Sequence, residues 1–507
     1  MIRTVGGHAD HVVVVGAGLA GLAAALHLAG RGRQVTVVER EPVPGGRVGR
    51  ADIAGYRLDT GPTVLTMPDI IDDTFGAVGE EGADRLDLVP VDPAYHASFA
   101  DGSELDVHSQ PDLMAAAVEK FAGAGQAAGY LQLRDWLTRL YHVEFDGFIA
   151  ANFDSPLSLL TPQLARLAAL GGFRRWERVV ERFITDERLR RVFTFQSLYA
   201  GVPPQRALAV YAVIAYMDTV AGVYFPRGGM RALPDALAAA ATDAGVKFEY
   251  SAPVVALERS GDAVTAVRTE GGNRIPCDAV VLTTELPQTY RLLGRTPRRL
   301  LRARPAPSAV VAHVGCRAVN PAGAHHTILF GGEWQQTFDD IIRKGRPMAD
   351  PSLLVTRPTA TEPSLAPAGR DLLYVLAPAP NLARGHIDWD ATADAYAAEM
   401  LDTVTARLPG VADIELLRVV TPADWSRQGM VAGTPFALAH TFAQTGPFRP
   451  SNMVRGTVNA VLAGSSTVPG VGVPTALLSG RLAADRITGP LRENSARHIV
   501  GTGGKTA

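Results

Sequence analysis

Cysteine is almost missing from this chain of 507 residues, and the shortage bears on where the protein works. Only Cys277 and Cys316 are present, so a disulfide framework is excluded and a reduced, cytosolic setting is expected. Internal repeats are missing as well, which argues against repeat architectures. The first ten residues are polar and lack the apolar core of a signal peptide, so a secretory signal is not expected.

The chain also has little net charge. Its formal charge is −2 at pH 7 and its isoelectric point is about 6.6, values that argue against a nucleic-acid partner. Hydrophobic residues make up 47% of the chain and the mean hydropathy is +0.08, which is apolar for a water-soluble protein. This composition indicates an apolar cavity or contact with a membrane surface. Because the chain is too long for one simple core, we expect two domains.

Residues 11–47 have the pattern of a strand, a glycine-rich turn, a helix and a second strand. Four valines at 12–15 precede Gly16, Gly18 and Gly21, which have G-x-G-x-x-G spacing. Gly16 would make the tight turn, Gly18 would let backbone N–H groups approach a pyrophosphate, and Gly21 would let helix and strand pack closely. The helix N-terminus would attract the phosphate charge. The pattern therefore predicts a dinucleotide site.

Glu39 follows the second apolar run, residues 35–38. A carboxylate at the tip of this strand can accept hydrogen bonds from a ribose, and it disfavours a 2′-phosphate such as that of NADP. The alternative is an ordinary glycine-rich turn, and the strand, the helix and the acid together argue against it. Residues 11–30 contain no Asp, Glu, Lys or Arg, but the glycine fingerprint and the βαβ frame argue against a membrane span.

Two further motifs lie after the second strand. They are E-R-x-x-x-x-G-G-R and D-x-G-P, in which the matching residues include Glu39, Arg40, Gly46, Arg47, Gly61 and Pro62. This part of the chain resembles the flavin amine oxidase and carotenoid desaturase superfamily. The resemblance implies that these residues bind FAD and that Val254 packs on the adenine. Neither cysteine lies in the C-terminal stretch where some flavin amine oxidases carry a covalent flavin link, so we expect non-covalent FAD.

Residues 458–487 contain a second glycine-rich turn between a strand and a helix. The helix N-terminus would point at an electron-rich group, such as the flavin N1/C2=O edge, where negative charge develops on reduction. The turn resembles a motif of bacterial phytoene desaturases, with the matching residues Gly464, Thr467, Pro469, Gly470, Gly472, Val473, Pro474 and Thr475. Of these, Gly464, Val473, Pro474 and Thr475 are expected to contact FAD. Val468 stands where the family often has histidine, so no role of that histidine is carried over.

Other short motifs of the same family occur in order along the chain. They are Met67-Pro68, Phe225-Pro226-x-Gly228-Gly229, His325-His326-Thr327, Ser364-Leu365-Ala366-Pro367 and Leu376-Ala377-Pro378-x-Pro380. The resemblance to carotenoid desaturases therefore covers nearly the whole chain.

Residues 111–221 have a mostly helical pattern that interrupts the nucleotide-binding pattern. Two pieces, 155–173 and 207–217, are almost free of charge and too short or too interrupted to span a bilayer. They are interpreted either as buried core helices or as an apolar substrate channel or interfacial segment. Asp154 and Asp218 flank these pieces and are candidates to face a substrate, although ordinary surface or helix-end carboxylates fit them better.

Six arginines occur within residues 291–304, at 291, 295, 298, 299, 302 and 304. A solvated helix face is the favoured interpretation, and a basic patch for anionic lipid headgroups is the alternative. The polar tail after about residue 491 is expected to be disordered.

The predicted fold class is α/β: a Rossmann-type FAD-binding domain with a discontinuous α+β substrate domain and a helical insertion. The FAD-binding domain is expected to comprise residues 1–96, 222–300 and 421–507. The substrate domain, which would also contact the membrane, is expected to comprise residues 97–221 and 301–420.

The resemblance implies FAD-dependent desaturation of a carotenoid precursor, phytoene towards lycopene, with hydride transfer from an allylic carbon to the flavin. A polyene delocalises the developing charge, so little side-chain chemistry is needed, and neither a catalytic residue nor a metal is assigned. The expected partners are an apolar polyene, the inner face of the cell membrane, and oxygen or a quinone as electron acceptor. Alternatives on the same frame are an amine oxidase, a carotenoid isomerase or oxygenase, and a non-catalytic escort protein for lipidated partners.

Two observations bear on these alternatives. An amine substrate would favour an aromatic cage, and aromatic residues make up only 7% of the chain. An escort protein could dispense with flavin, and both glycine-rich flavin motifs are intact.

Overall fold

A computed structural model describes residues 2–7, 9–295, 297, 302–317 and 323–490. The strands in these residues are β1 (His11–Val15), β2 (Gln34–Val38), β3 (Arg50–Ile53), β4 (Tyr56–Asp59), β5 (Leu65–Thr66), β6 (Leu88–Val91), β7 (Tyr95–Ser98), β8 (Glu104–Val107), β9 (Val223–Pro226), β10 (Lys247–Glu249), β11 (Val254–Ser260), β12 (Ala263–Thr269), β13 (Arg274–Pro276), β14 (Ala279–Leu282), β15 (Ser308–Arg317), β16 (His326–Leu329), β17 (Leu353–Thr356), β18 (Arg370–Ala379), β19 (Glu415–Val420) and β20 (Ala460–Leu462).

The α-helices are α1 (Leu19–Ala29), α2 (Pro68–Gly76), α3 (Gly82–Arg85), α4 (Pro111–Ala122), α5 (Ala124–Glu144), α6 (Pro162–Leu170), α7 (Trp176–Val180), α8 (Glu187–Thr194), α9 (Ser197–Ala200), α10 (Val213–Tyr216), α11 (Ala232–Asp243), α12 (Leu286–Leu292), α13 (Trp334–Phe338), α14 (Trp389–Arg407), α15 (Pro422–Arg427) and α16 (Val473–Thr488). Single π-helical turns extend α5 at Phe145–Ile149 and α10 at Met217–Ala221.

A five-stranded parallel sheet, in the order β10-β2-β1-β14-β20, forms the base of the nucleotide-binding part. The valines of β1 are buried on both faces, which explains why this strand is a continuous apolar run. Val12 and Val14 pack in the core cluster that contains α1 and α16. Val13 and Val15 pack in the cluster that contains the antiparallel sheet β11-β12-β13.

A mixed seven-stranded sheet forms the second layer, in the order β19-β15-β18-β17-β16-β7-β8. Its longest pair is β15 with β18, which run antiparallel over ten residues each. Helix α14 packs on this sheet through Trp389, Met400 and Val404, which share a core cluster with Val310 and Val375. Strands and helices are interspersed between residues 308 and 420, in agreement with the α+β class predicted for this part of the chain.

The helical insertion lies between β8 and β9 and contains α4 to α10. Its helices bury aromatic residues against one another, with Trp136 stacked on Trp176 and Tyr141 stacked on Tyr216 at 4.2 Å between ring centroids. Strand β9 then pairs with β5 and β6 and returns the chain to the nucleotide-binding part.

The predicted fold class agrees with this architecture. The strand before the second glycine-rich turn comprises Ala460–Leu462, and Val458 is exposed and outside the ladder. Residues 50–59 form a two-stranded hairpin. The tail after residue 491 lies outside the described residues, as do Arg298 and Arg299. The domain boundaries stay a prediction.

Candidate active site

One continuous cavity of about 660 Å³ joins the glycine-rich turns to the helical insertion. Its first half is lined by predicted flavin-binding residues. They are Gly16, Gly18, Glu39, Arg40, Gly46, Arg47, Gly61, Pro62, Val254, Gly464, Val473, Pro474 and Thr475. Gly21 does not line the cavity, which fits its predicted packing role. Its second half is lined by apolar side chains of the insertion and of the seven-stranded sheet.

The turn between β1 and α1 forms a cradle for a phosphate. Gly16 has φ +105°, a conformation that favours glycine, and a Cβ atom there would overlap the hydroxyl of Thr283. A Cβ atom at Gly21 would overlap the carbonyl oxygen of Gly16, so the close packing of this turn requires glycine. Gly18 is the N-cap of α1 and lies against Gly46, with no atom within 3.9 Å of an added Cβ. The helix N-terminus therefore faces open space.

Glu39 is buried at the end of β2 and is held by backbone groups. Its Oε2 accepts a hydrogen bond from Ala17 N–H at 2.6 Å, and its Oε1 accepts one from Glu41 N–H at 2.9 Å. Each carboxylate oxygen keeps a second lone pair for a further donor. The arrangement suits a pair of ribose hydroxyls beside Val254 and Pro253, which line the same part of the cavity.

Arg47 is linked to two residues that the sequence analysis did not select. Its guanidinium pairs with the carboxylate of Glu285, and it also donates to the carbonyl of Pro435 at 3.0 Å. Glu285 in turn accepts a hydrogen bond from the Ser466 hydroxyl at 3.2 Å. Burial lowers the pKa of Arg47 to about 10, so its side chain is charged at neutral pH. This chain of contacts connects the G-G-R motif to the C-terminal loop.

The C-terminal loop, residues 464–475, is held by the buried side chain of Arg449. Its guanidinium donates to the carbonyl oxygens of Thr467 at 2.7 Å and Ser465 at 2.6 Å. Gly472 is the N-cap of α16 and has φ +138°. The loop therefore brings a second helix N-terminus to the cavity, as the sequence predicts. Arg449 has no motif signal, because a lone arginine in a loop gives no sign that it is buried.

The apolar half of the cavity contains the two charge-poor pieces of the insertion. From 207–217, Leu208, Val210, Val213, Ile214 and Met217 line the wall, which favours the predicted channel. From 155–173, Leu159, Leu164, Leu167 and Phe173 also line it. The buried-core interpretation of this second piece is wrong, because Leu157 and Leu160 are 74% and 76% exposed.

The two candidate aspartates lie in different surroundings. Asp154 does not line the cavity and pairs with the buried Arg486 at 2.6 Å, so it supports the fold. Asp218 is only 5% exposed and lines the cavity, which contradicts its interpretation as an ordinary helix-end carboxylate. Burial raises the pKa of Asp218 to about 7. Glu144, which the sequence analysis missed, is a second buried carboxyl in this wall.

Comparison with known proteins identifies the family. A family model described as flavin containing amine oxidoreductase matches residues 19–488. The phytoene dehydrogenase of Streptomyces griseus is 63% identical over 502 residues, covering 98% of this chain and 99% of that protein. The chain belongs to the phytoene desaturase family of flavin containing amine oxidoreductases. A zeta-carotene-forming phytoene desaturase of Myxococcus xanthus is 37% identical, with coverage of 94% and 93%.

Solved structures of the same fold are more distant. An oxidoreductase from Methanosarcina mazei superposes with a TM-score of 0.62 at 16% identity, covering 93% of this chain and 99% of that one. A putrescine oxidase superposes with a TM-score of 0.58 at 18% identity, covering 94% and 98%. These likenesses show the fold alone. Together with the family, they confirm the predicted α/β flavin-binding fold and a flavin-dependent oxidoreductase.

No helix within the described parts of the chain is both long enough and apolar enough to cross a membrane.

Proposed function

We propose that this protein binds FAD non-covalently and desaturates phytoene towards lycopene. The observation that carries the proposal is the single cavity that connects a dinucleotide cradle to an apolar channel. A flavin held in the first half would share this space with a hydrocarbon held in the second half. The relatives named as phytoene dehydrogenase and phytoene desaturase support the choice of substrate.

The residues of the first half fit FAD. The N-terminus of α1 at Gly18 suits the pyrophosphate, and the Glu39 carboxylate suits the adenosine ribose. The N-terminus of α16 suits the electron-rich edge of the isoalloxazine ring. Both cysteines lie outside the cavity wall, so neither Cys277 nor Cys316 would link covalently to the cofactor.

The residues of the second half fit a hydrocarbon. Phytoene has no group that forms an ion pair, so its affinity must come from apolar burial, at about 25 cal/mol per Å². The channel provides apolar side chains from two layers, Val213 and Met217 from the insertion and Leu354 and Leu376 from the seven-stranded sheet. Bound FAD would supply the acceptor for a hydride from an allylic carbon. The chain would hold the polyene in place and exclude water from it.

We also propose that the protein attaches peripherally to the inner face of the cell membrane, because a polyene substrate dissolves in lipid. Leu157 and Leu160 are exposed beside cavity-lining Leu159 and Leu164. This exposed segment, residues 156–160, would place the entrance of the channel against the bilayer. The electron acceptor would be oxygen or a quinone.

The experiment that tests desaturation is expression in a bacterium engineered to accumulate phytoene, followed by chromatography of the pigments. Coloured products with longer conjugation are expected, and Gly18→Trp should abolish them because the indole would fill the pyrophosphate cradle. If folded, flavin-loaded protein leaves colourless phytoene unchanged, the substrate assignment is wrong.

A further inference from the structure

Three side chains in the cavity wall each have a buried polar atom that bonds to no described residue. They are Asp218, whose other oxygen lies near polar neighbours, Glu144, at the C-terminal end of α5, and His440, which precedes the C-terminal loop. Glu144 and His440 flank the same tyrosine, Tyr211, and are considered together. A buried polar atom without a partner costs about 1–3 kcal/mol, so such atoms usually have a ligand or water to bond with. A hydrocarbon has no oxygen or nitrogen and leaves both of them unpaired.

Glu144 is only 3% exposed, and its Oε1 lacks a partner among the described residues. Burial raises the pKa of the Glu144 carboxyl well above its ordinary value. Burial therefore favours the neutral form of this carboxyl, which carries an O–H donor. A neutral carboxyl that lines an apolar cavity is suited to donate a hydrogen bond to an oxygen atom.

His440 is adjacent to the C-terminal loop. A side chain at Gly470 would overlap the His440 ring, so the imidazole lies directly against that loop. Its Nε2 is buried and bonds to none of the residues that the structure describes, and burial lowers the pKa of His440 well below its ordinary value. The neutral ring carries one N–H donor and one acceptor nitrogen.

Tyr211 neighbours both groups. Its ring meets the His440 ring edge-on with 5.8 Å between centroids, and its hydroxyl bonds to Thr445. Burial raises the pKa of Tyr211 to about 12, and the proximity of Glu144 adds to this shift. The Tyr211 hydroxyl is therefore already bonded, whereas no described residue bonds to Glu144 Oε1 or to His440 Nε2.

We propose that Glu144 and His440 form a subsite for a carbonyl or hydroxyl oxygen on an otherwise apolar ligand. This rests on the proposed function, because the ligand would occupy the same channel as the polyene. A quinone fits the subsite best, since its body is apolar and its carbonyl oxygens accept hydrogen bonds from both residues. The position of His440 against Gly470 places that ligand beside the loop predicted to face the flavin.

A quinone bound in the subsite would reoxidise the flavin. The quinone takes two electrons and one proton from reduced flavin as a hydride, and a second proton from water, to give quinol and oxidised flavin. Hydrogen bonds to the quinone carbonyl would favour this step because negative charge develops on that oxygen. An acyclic polyene that carries a hydroxyl group would also offer an oxygen atom for hydrogen bonds with these two residues.

The test follows the two half-reactions separately in FAD-loaded protein under anaerobic conditions. Photoreduced enzyme is mixed with a benzoquinone that carries one isoprene unit, and the dependence of flavin reoxidation on its concentration gives Kd. Glu144→Leu and His440→Leu should each raise the Kd of the quinone about 3- to 10-fold, which is the effect of losing one buried hydrogen bond. Glu144→Gln keeps a donor and should stay within about twofold of the wild type.

The control is His27→Leu, which makes the same change at a buried histidine outside the cavity and should not alter Kd. Flavin reduction by phytoene is measured on the same samples. If phytoene fails to reduce the wild-type flavin, the proposed function fails, while the quinone titration still reports on the subsite.

A parallel titration uses an acyclic C40 polyene with one terminal hydroxyl and the matching hydrocarbon. If the leucine variants weaken the binding of the hydroxylated polyene alone, the subsite stands and its ligand is the substrate. If the leucine variants leave the Kd values of both the quinone and the hydroxylated polyene unchanged, the subsite is overturned.

A second measurement uses wild-type protein alone, in case the leucine variants fold poorly. The infrared carbonyl stretch of bound quinone should shift to lower wavenumber, and an unshifted stretch would also overturn the subsite.

Discussion

Asp59 and Met230 are 171 residues apart in the sequence and are joined by a hydrogen bond of 3.0 Å, from Met230 N–H to Asp59 Oδ2. The same carboxylate accepts a second bond from Arg231 N–H at 3.3 Å. An added Cβ at Gly229 would come within 3.1 Å of this carboxylate, so the close approach favours glycine there. The bond fastens the D-x-G-P turn, which faces the cavity, to the turn that precedes α11.

The Asp59 carboxyl should make stability depend on pH. Burial raises the pKa of Asp59 to about 6, above its ordinary value, so the folded protein binds more protons than the unfolded chain between pH 4 and 6. The free energy of unfolding contributed by this group therefore falls as pH rises through that window. Between pH 4 and pH 6, the free energy of unfolding of the wild type should fall by roughly 3 kcal/mol at most relative to that of Asp59→Asn. Urea unfolding of both proteins at the two pH values measures the difference. Parallel pH profiles for the two proteins would contradict the assignment.

Glu39→Ala should weaken FAD binding by roughly 1.5–3 kcal/mol, the value of hydrogen bonds to a charged group. The substitution also leaves Ala17 N–H without its acceptor. Fluorescence titration of apoprotein with FAD measures the change. Glu119→Ala is the control, because Glu119 is an exposed glutamate of α4 outside the cavity. Equal losses of affinity in both variants would argue against a ribose contact at Glu39.

Val213→Asp should block the hydrocarbon channel while FAD stays bound. Val213 lines the apolar half of the cavity, and a carboxylate there would face the polyene at a cost of several kcal/mol, roughly the penalty for burying an unpaired charge. Conversion of phytoene should drop sharply in a liposome assay, with flavin absorbance unchanged. The control is Val255→Asp, at a valine that is 54% exposed and outside the cavity. Equal activity of the two variants would place the substrate elsewhere.

Leu157→Glu combined with Leu160→Glu should reduce binding to liposomes. Both leucines are exposed next to the channel wall, and each carboxylate would oppose insertion into an anionic bilayer. Flotation assays with and without anionic lipid measure the effect. Leu113→Glu, at an exposed leucine of α4, gives the comparison at a site away from the channel. If the double variant floats as well as the wild type, membrane contact occurs through another surface.

Arg449→Met should destabilise the C-terminal loop by about 3 kcal/mol or more, because it removes charged hydrogen bonds to Thr467 and Ser465. FAD should then bind more weakly and protect less against denaturant. Urea unfolding with and without FAD measures both effects. An unchanged difference between the two unfolding curves would mean that the loop does not contact the cofactor.

The nucleotide-binding elements could be predicted from the sequence because their signals are local. The valine run of β1, the glycines after it and Glu39 each have a fixed neighbour in sequence, so spacing alone places them. The same holds for Gly464 and for the N-terminus of α16. The sequence predicts the channel only as one of two alternatives, since a charge-poor helix has the same pattern in a core and in a cavity wall.

The remaining site residues depend on contacts between distant segments. Glu285 belongs to the site because Arg47, 238 positions earlier in the sequence, pairs with it. Arg449 belongs to it because the loop at 465–467 packs over its guanidinium. Glu144, Tyr211 and His440 line one cavity from three separate segments. The sequence around Asp218 favours an ordinary carboxylate, because the burial of this residue comes from packing that a sequence pattern does not report.

The strand order of the parallel sheet also determines when the site can form during synthesis. Its last strand, β20, pairs with β14 and begins 422 residues after the end of β2. At a translation rate of about 5–20 residues per second, that separation takes roughly 20–80 s. The N-terminal glycine cradle therefore leaves the ribosome long before its partners in the C-terminal loop. Cofactor capture should be a late event, and a chain that stops before residue 460 would present an unpaired edge of β14 to other proteins.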